Sequence, residues 1–513
     1  MIEHLLVAPI VLPLAVGAAL LLVDERRHRA KAIVSLCATL ALVALAVLLA
    51  ARADAPVTHV YRLGSWPAPF GIVLVADRLS AAMVLLAAVL ALAALWFSLA
   101  RWDRAGPHFH TLVQFLLAGL SGAFLTGDVF NLFVFFELLL AASYGLALYG
   151  GGAQRTRASL HYIVVNLAAS LLFLVGVSLV YGVAGTLNMA DIVTRVSALP
   201  PADRVLAEVG IGVLAVAFFI KAGMWPLGFW LAPAYAAAAA PAAALFSIMT
   251  KVGVYAVLRL WLLVFGGTSG AELLAFGGMA TLVYGVVGML ASQNLGALAG
   301  YGLLVSSGTL LAAIGLGDAA STAAGLYYLF VSTVAIAAFF LLIELVGRAR
   351  EAGADVLAVT AEAFGLGTQE AEPQAEVGFA VPAAMVFLGL AFLGCGLVIA
   401  GLPPLSGFLA KFALMDALVR EEQNPAAAWI VVALLLASSL AATIAFVRAG
   451  VRIFWAAERV PPTVRLAEIA PIAALLVVCV ALTVLAGPAL DYLGEGAQAL
   501  HAPASYLEEV LGQ

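Results

Sequence analysis

Lys221-Ala-Gly223-Met-Trp-Pro226-Leu227 interrupts an apolar segment running from about residue 208 to 232, and Gly401-Leu-Pro403-Pro404-Leu405 interrupts a second from about 379 to 418. Both breaks read Gly-x-x-Pro-Leu, and each is followed within four residues by a Phe and then a Leu. Each has a lysine at hand, Lys221 just before the first and Lys411 just after the second. Proline removes a backbone donor and clashes with the preceding turn, so each break frees carbonyls and creates half-helix ends. At membrane depth these survive only against buried protein or a water-filled cavity. A matched pair of broken helices in two halves of one chain points to a transporter built from repeats, with its ion path at the breaks.

Composition puts those breaks in a bilayer. Of 513 residues, 65% are hydrophobic and 10% charged, against about 25% charged in a soluble domain. Fourteen apolar runs are long enough to cross a membrane, at about 5–23, 31–51, 79–100, 111–126, 128–149, 160–183, 208–232, 241–264, 272–291, 296–316, 322–347, 379–418, 428–454 and 467–489. The first could pass for a signal peptide, but its basic cluster follows the apolar run, as in an uncleaved span with its N-terminus outside. Alternating the loops places fourteen of the 24 Lys and Arg residues on one side, including Arg26, Arg27, Arg29, Arg104, Arg155 and Arg348. Seven fall on the other, Arg259 among them. The positive-inside bias makes the first side cytoplasmic and both termini extracytoplasmic, in the cell inner (plasma) membrane.

The remaining three are Lys221, Lys251 and Lys411, all within apolar helices. An uncompensated charge there costs about 3 to 10 kcal/mol depending on the reference, and such a cost implies a use. Glu137 is the one acid near the centre of a span. A plain ion pair with one lysine, or lysines snorkelling to an interface, would explain a single buried charge less strenuously than it explains four. A lysine in a poorly hydrated break is pushed toward neutrality and a nearby carboxylate restores its charge, so such sites in line make a proton relay.

Other chemistries are excluded or weak. No basic cluster has the density nucleic-acid binding needs. Gly210-Ile-Gly212-Val-Leu-Ala215 and Gly315-Leu-Gly317-Asp-Ala-Ala320 fit a loose nucleotide pattern but follow no strand. Cys37, Cys395 and Cys479 stand singly in apolar runs and the seven histidines lie in loops or near helix ends, so no disulfide, metal site or cofactor is expected. Gly296-Ala-Leu-Ala-Gly300 reads as a close-packing face.

Five stretches resemble a known family: Tyr61-Arg-Leu-Gly-Ser-Trp-Pro-Ala-Pro-Phe-Gly-Ile-Val-Leu-Val-Ala-Asp-Arg-Leu-Ser80, Gly127-Asp-Val-Phe-Asn-Leu-Phe-Val-Phe-Phe-Glu137, Gly185-Thr-Leu-Asn-Met-Ala-Asp191, Thr250-Lys-Val-Gly-Val-Tyr255 and Gly401-Leu-Pro-Pro-Leu-Ser-Gly-Phe408. They are similar to the antiporter-like membrane subunits of the Mrp (multiple resistance and pH) system and of respiratory complex I, the first and third favouring the D-type component of Mrp. The resemblance implies an all-α fold of about fourteen transmembrane helices with two inverted five-helix repeats, each holding a broken helix. It divides the chain into three N-terminal helices (1–110), repeats at 111–265 and 266–455, and a C-terminal helix and tail (456–513). It implies a Na⁺/H⁺ antiporter assembled with the other Mrp antiporter subunits (A, B, C, E, F and G), a secondary transporter rather than an enzyme. A proton-pumping subunit of a redox-driven complex would share the same residues. The implied roles pair Glu137 with Lys221, make Lys251 a central relay, and make Lys411 the terminal site.

One departure stands out. Relatives often carry a histidine in the eleventh span, where this chain reads Tyr327-Tyr328-Leu-Phe-Val331-Ser332-Thr333. Valine carries no proton, so water held by Tyr328, Ser332 or Thr333 must bridge the gap, or the path there is weak. The segment 348–378, acidic and expected on the cytoplasmic side, reads as a solvated connector.

Overall fold

The computed structural model describes residues 3–54, 58–267, 269–364, 383–420, 424–454 and 464–512. In chain order the helices are α1 (Ala8–Leu21), α2 (His28–Ala53), α3 (Arg78–Ser98), α4 (Phe109–Leu125), α5 (Val129–Leu148), α6 (Ala153–Ala184), α7 (Met189–Ala198), α8 (Pro201–Ala222), α9 (Leu231–Ala237), α10 (Ala240–Phe265), α11 (Ala271–Ala291), α12 (Leu295–Leu316), α13 (Ala319–Phe364), α14 (Ala383–Ala400), α15 (Ser406–Val419), α16 (Pro425–Phe454), α17 (Leu466–Val484), α18 (Ala486–His501) and α19 (Ala504–Leu511). Twelve are long and apolar enough to span a membrane, and α1 and α4 are shorter apolar helices at two further expected spans. Helices therefore occupy all fourteen expected spans, two of them as broken pairs, α8 with α9 and α14 with α15.

Local sequence sets the helix ends. Asp77 caps α3 by accepting from Ser80 N at 2.8 Å, Asp128 caps α5 through Asn131 N at 2.8 Å, and Asn294 caps α12 through Ala297 N at 2.7 Å. Each satisfies a donor that has no partner within its own helix. Among the described residues two elements are strands: β1 (His59–Arg62) and β2 (Val73–Ala76) form an antiparallel hairpin pairing His59 with Ala76. The two Pro and two Gly residues within Tyr61–Ser80 mask the strand pattern in the sequence.

The candidate membrane window of α10 is fully buried, and those of α12 and α13 nearly so, whereas α2, α6, α14 and α17 bury a minority of theirs. Lys251 thus lies on the innermost helix. The Gly296/Gly300 face packs as expected, against α9: a Cβ on Gly300 would lie 2.7 Å from Ala232 Cα. α13 runs on to Phe364, so the expected loop at 348–378 begins as helix. Its remainder, 365–378, lies outside the described residues.

Candidate functional site

Both breaks form where expected. α8 ends at Ala222 with Gly223 at φ +76°, and α14 ends at Ala400 with Gly401 at φ +74°, a left-handed conformation open to glycine. Pro226 and Pro404 each follow a cis peptide bond. Gly401 has a second reason to be glycine, because a Cβ there would lie 2.6 Å from Lys411 Cδ. That space lets Lys411, more than a turn into α15, fold back over the break. Its Nζ donates to Ala400 O at 3.2 Å, Ser438 Oγ at 3.2 Å and Ser439 Oγ at 2.8 Å. A carbonyl freed by the break and two hydroxyls from α16 thus receive the ammonium.

Lys251 is 0% exposed. Its Nζ donates to Ser306 Oγ of α12 at 2.8 Å, and Ser306 Oγ shares a 2.8 Å hydrogen bond with Ser332 Oγ of α13. Thr333 turns away, donating to Leu329 O at 2.6 Å. Tyr328, Val331 and Ser332 line a cavity of about 10 Å³ whose far wall includes Ser438 of α16, room for roughly one water molecule. Lys251, Ser306, Ser332, this cavity, Ser438 and Lys411 therefore form one polar line through an apolar core, with Val331 on the cavity wall.

The other half is arranged differently from the expectation. Among the described residues, no ion pair within 4.0 Å joins Glu137 to Lys221. Glu137 accepts from Ser170 Oγ of α6, while Lys221 Nζ lies 4.9 Å from the centre of the Phe136 ring and has no hydrogen-bond partner among the described residues. The ring face offers the ammonium an electrostatic partner. Gly253 brings α10 against the first break, where a Cβ would lie 2.6 Å from Ala222 N.

Glu137 also sits at the end of a polar stripe. On α6 the buried residues Ser159, Tyr162, Asn166 and Ser170 recur at three- and four-residue spacing over about 16 Å. Tyr162 OH shares a 2.6 Å hydrogen bond with Ser143 Oγ of α5, and Ser159 Oγ donates to Ala147 O at 3.0 Å. Beyond Ser170 the same face turns apolar, with Phe173, Val177 and Val180 buried. Phe173 packs its ring 5.5 Å from Phe133 and 5.1 Å from Phe218. Polar groups thus lead from Glu137 toward the Arg-rich face, and aromatic packing closes the other direction.

Sequence reading missed Ser170, Ser306, Ser438 and Ser439. Three of these lie in mid-span Ser-Ser pairs, Ser306-Ser307 and Ser438-Ser439, a signal available without coordinates. It also misplaced Arg259, counted as a loop charge. Arg259 is buried within α10 and its Nη1 lies 2.6 Å from Asp77 Oδ2. Arg259 Nη2 donates to Tyr255 OH at 2.9 Å. A buried arginine so paired knits α10 to the start of α3.

The chain is similar to known proteins in sequence and fold. Residues 126–441 match the family described as NADH:quinone oxidoreductase/Mrp antiporter, transmembrane. The chain belongs to that family. Among NADH:quinone oxidoreductase/Mrp antiporter proteins it is 55% identical over 528 aligned positions to the D component of a probable K⁺/H⁺ antiporter of Rhizobium meliloti, covering 99% of this chain and 98% of that one. It is 33% identical to the D component of the Na⁺/H⁺ antiporter of Alkalihalophilus pseudofirmus, covering 99% of both. The fold superposes on a chain of the Mrp complex from Dietzia sp. with a TM-score of 0.87 at 26% identity over the full length of each.

Proposed function

We propose that this chain is the D-type component of a multi-subunit monovalent cation/proton antiporter, carrying protons through its buried lysines. The observation that carries the reading is the line Lys251–Ser306–Ser332–cavity–Ser438–Lys411, in which a bonded lysine–serine–serine chain faces a bonded serine–lysine pair across one water-sized space. The names of the D-type relatives support the cation/proton assignment, and one of them specifies K⁺ where another specifies Na⁺. The partners are the other Mrp antiporter subunits (A, B, C, E, F and G). The 111–265 repeat contributes one break with Glu137, Lys221 and the central Lys251, and the 266–455 repeat contributes the other break with the terminal Lys411.

In this reading the Arg-rich face is cytoplasmic, both termini lie outside the inner membrane, and Glu137 takes its protons from the cytoplasmic side along the α6 stripe. The proton passes to Lys221, whose ammonium Phe136 receives. Lys251 and Lys411 then exchange through the serines. Two like charges on neighbouring lysines oppose each other, so loading one favours release from the next. Hard cations want several oxygen ligands, and Glu137 is the one acid near the centre of a span. The cation path lies partly in a partner subunit.

The test is exchange in everted vesicles carrying the complete complex, driven in turn by K⁺ and Na⁺. Glu137→Gln and Lys221→Ala are each expected to abolish exchange with either cation while the complex assembles. Exchange at the wild-type rate in both variants would refute the reading.

A further inference from the structure

We propose that the turn between α1 and α2 binds the phosphate of an anionic phospholipid. Arg26, Arg27, His28, Arg29 and Arg104 line an open cavity of about 480 Å³ on the Arg-rich face. A general excess of positive charge there follows from membrane topology and requires no convergence. Elsewhere on this face several arginines are already engaged. Arg155 donates to Ala237 O and Tyr149 O, Arg448 to Leu290 O and Ser292 O, Arg465 to Ala100 O, and Arg348 pairs with Glu468 at 2.6 Å. By contrast, the guanidinium groups of Arg26, Arg27 and Arg29 make no hydrogen bond or ion pair among the described residues, and Arg104 reaches only Asp103 at 3.9 Å. The two carboxylates of the turn are committed: Asp24 accepts from the backbone N of Arg26 at 2.9 Å, and Glu25 is held by Lys31 at 2.5 Å and His108 at 2.9 Å.

Three features select a lipid as the source of that phosphate. Exposed apolar side chains flank the basic run in the chain, with Leu22 90% and Ile33 63% exposed, so apolar surface for acyl chains lies within a few residues of the guanidinium groups. α1 has only 14 residues, about 21 Å, against a hydrocarbon core of about 30 Å. A short span draws the headgroup layer toward its end, bringing lipid phosphates to the level of the turn. Guanidinium groups in a fork match phosphate oxygens bidentately.

The experiment uses the intact purified complex in nanodiscs containing a photoactivatable phosphatidylglycerol, with the label mapped by peptide mass spectrometry. Wild type is expected to carry label on the α1–α2 turn, R26Q/R27Q/R29Q to lose it at least tenfold, and a phosphatidylcholine probe of the same design to leave the turn unlabelled. Inorganic phosphate added alone at millimolar concentration is expected not to reduce labelling, and full competition by it would overturn the lipid assignment in favour of a soluble anion. Equal labelling of wild type and variant, or a photo-crosslinker at Arg27 that captures an acidic segment of a neighbouring subunit in place of lipid, would overturn the proposal. Cation/proton exchange in the variant is expected to stay at the wild-type rate, so this test fails or succeeds independently of the transport reading.

Discussion

Ser306→Ala is the sharpest single perturbation of the proposed relay. Ser306 Oγ is the one hydrogen-bond acceptor of Lys251 Nζ among the described residues and also the link to Ser332. A hydrogen bond to a charged group contributes about 1.5–3 kcal/mol. Taking about 2 kcal/mol as lost from the step between Lys251 and Ser332, at about 1.4 kcal/mol per decade, turnover falls roughly 30-fold. Serine and alanine differ by one oxygen, so packing of α12 on α10 is little disturbed. The neighbouring Ser307 supplies the control, because its hydroxyl is also buried but has no hydrogen-bond partner among the described residues. Ser307→Ala is expected to leave turnover unchanged. The assay is cation-dependent collapse of a pH gradient in everted vesicles, normalised to assembled complex on native gels. Wild-type turnover in Ser306→Ala, or equal loss in Ser307→Ala, would show that the proton does not use this serine.

Four further outcomes follow from the geometry. Val331→His is expected to preserve or raise exchange at neutral pH, because imidazole titrates there beside the cavity that Val331 lines; overpacking costs about 1–3 kcal/mol, so assembly is measured alongside, and an assembled but inactive variant contradicts the path. Tyr162→Phe combined with Asn166→Leu is expected to slow exchange several-fold by making the α6 stripe apolar, and a wild-type rate in vesicles would show that Glu137 is reached another way. Arg259→Met is expected to destabilise the complex by about 3–5 kcal/mol, as when one member of a buried pair is removed, read by thermal melting. Burial pushes the Asp77 carboxyl up, but the Arg259 charge and hydrogen bonds from Arg259 and Ser80 outweigh it and hold the group below its ordinary range. A carboxylate with a depressed folded value stabilises fully above its unfolded value, so the contribution is whole at neutral pH and fades as pH falls below about 4; melting in Asp77→Asn should therefore lose that acid dependence.

Much of this arrangement was legible in the sequence because membranes penalise charge and broken backbone so heavily. Lysines at 221, 251 and 411 and the breaks at Gly223 and Gly401 stood out for that reason, and all sit in the structure as their neighbours in the chain imply. The Glu137 partnership was less legible. Sequence could name the acid and the lysine but not the ring of Phe136, which is adjacent to Glu137 in the chain and meets Lys221 only after α5 and α8 pack. Serine is cheap to bury when its hydroxyl bonds a carbonyl one turn back, as Ser143 does with Leu140 O at 2.7 Å, so a mid-span serine alone announces little. Ser306, Ser332 and Ser438 acquire meaning only from three helices meeting. Arg259 was misplaced because its distance from the end of an apolar run looked like an interface, whereas Asp77 of a distant loop folds over to meet it.

Whether buried amines carry the proton is decided by Lys251→Ala. With the complex reconstituted in proteoliposomes at known orientation, cation-driven proton flux is expected to fall to the level of empty liposomes while assembly stays near normal, since removing a fully buried charge also removes its desolvation cost. Flux at the wild-type level in an assembled Lys251→Ala complex would contradict that role.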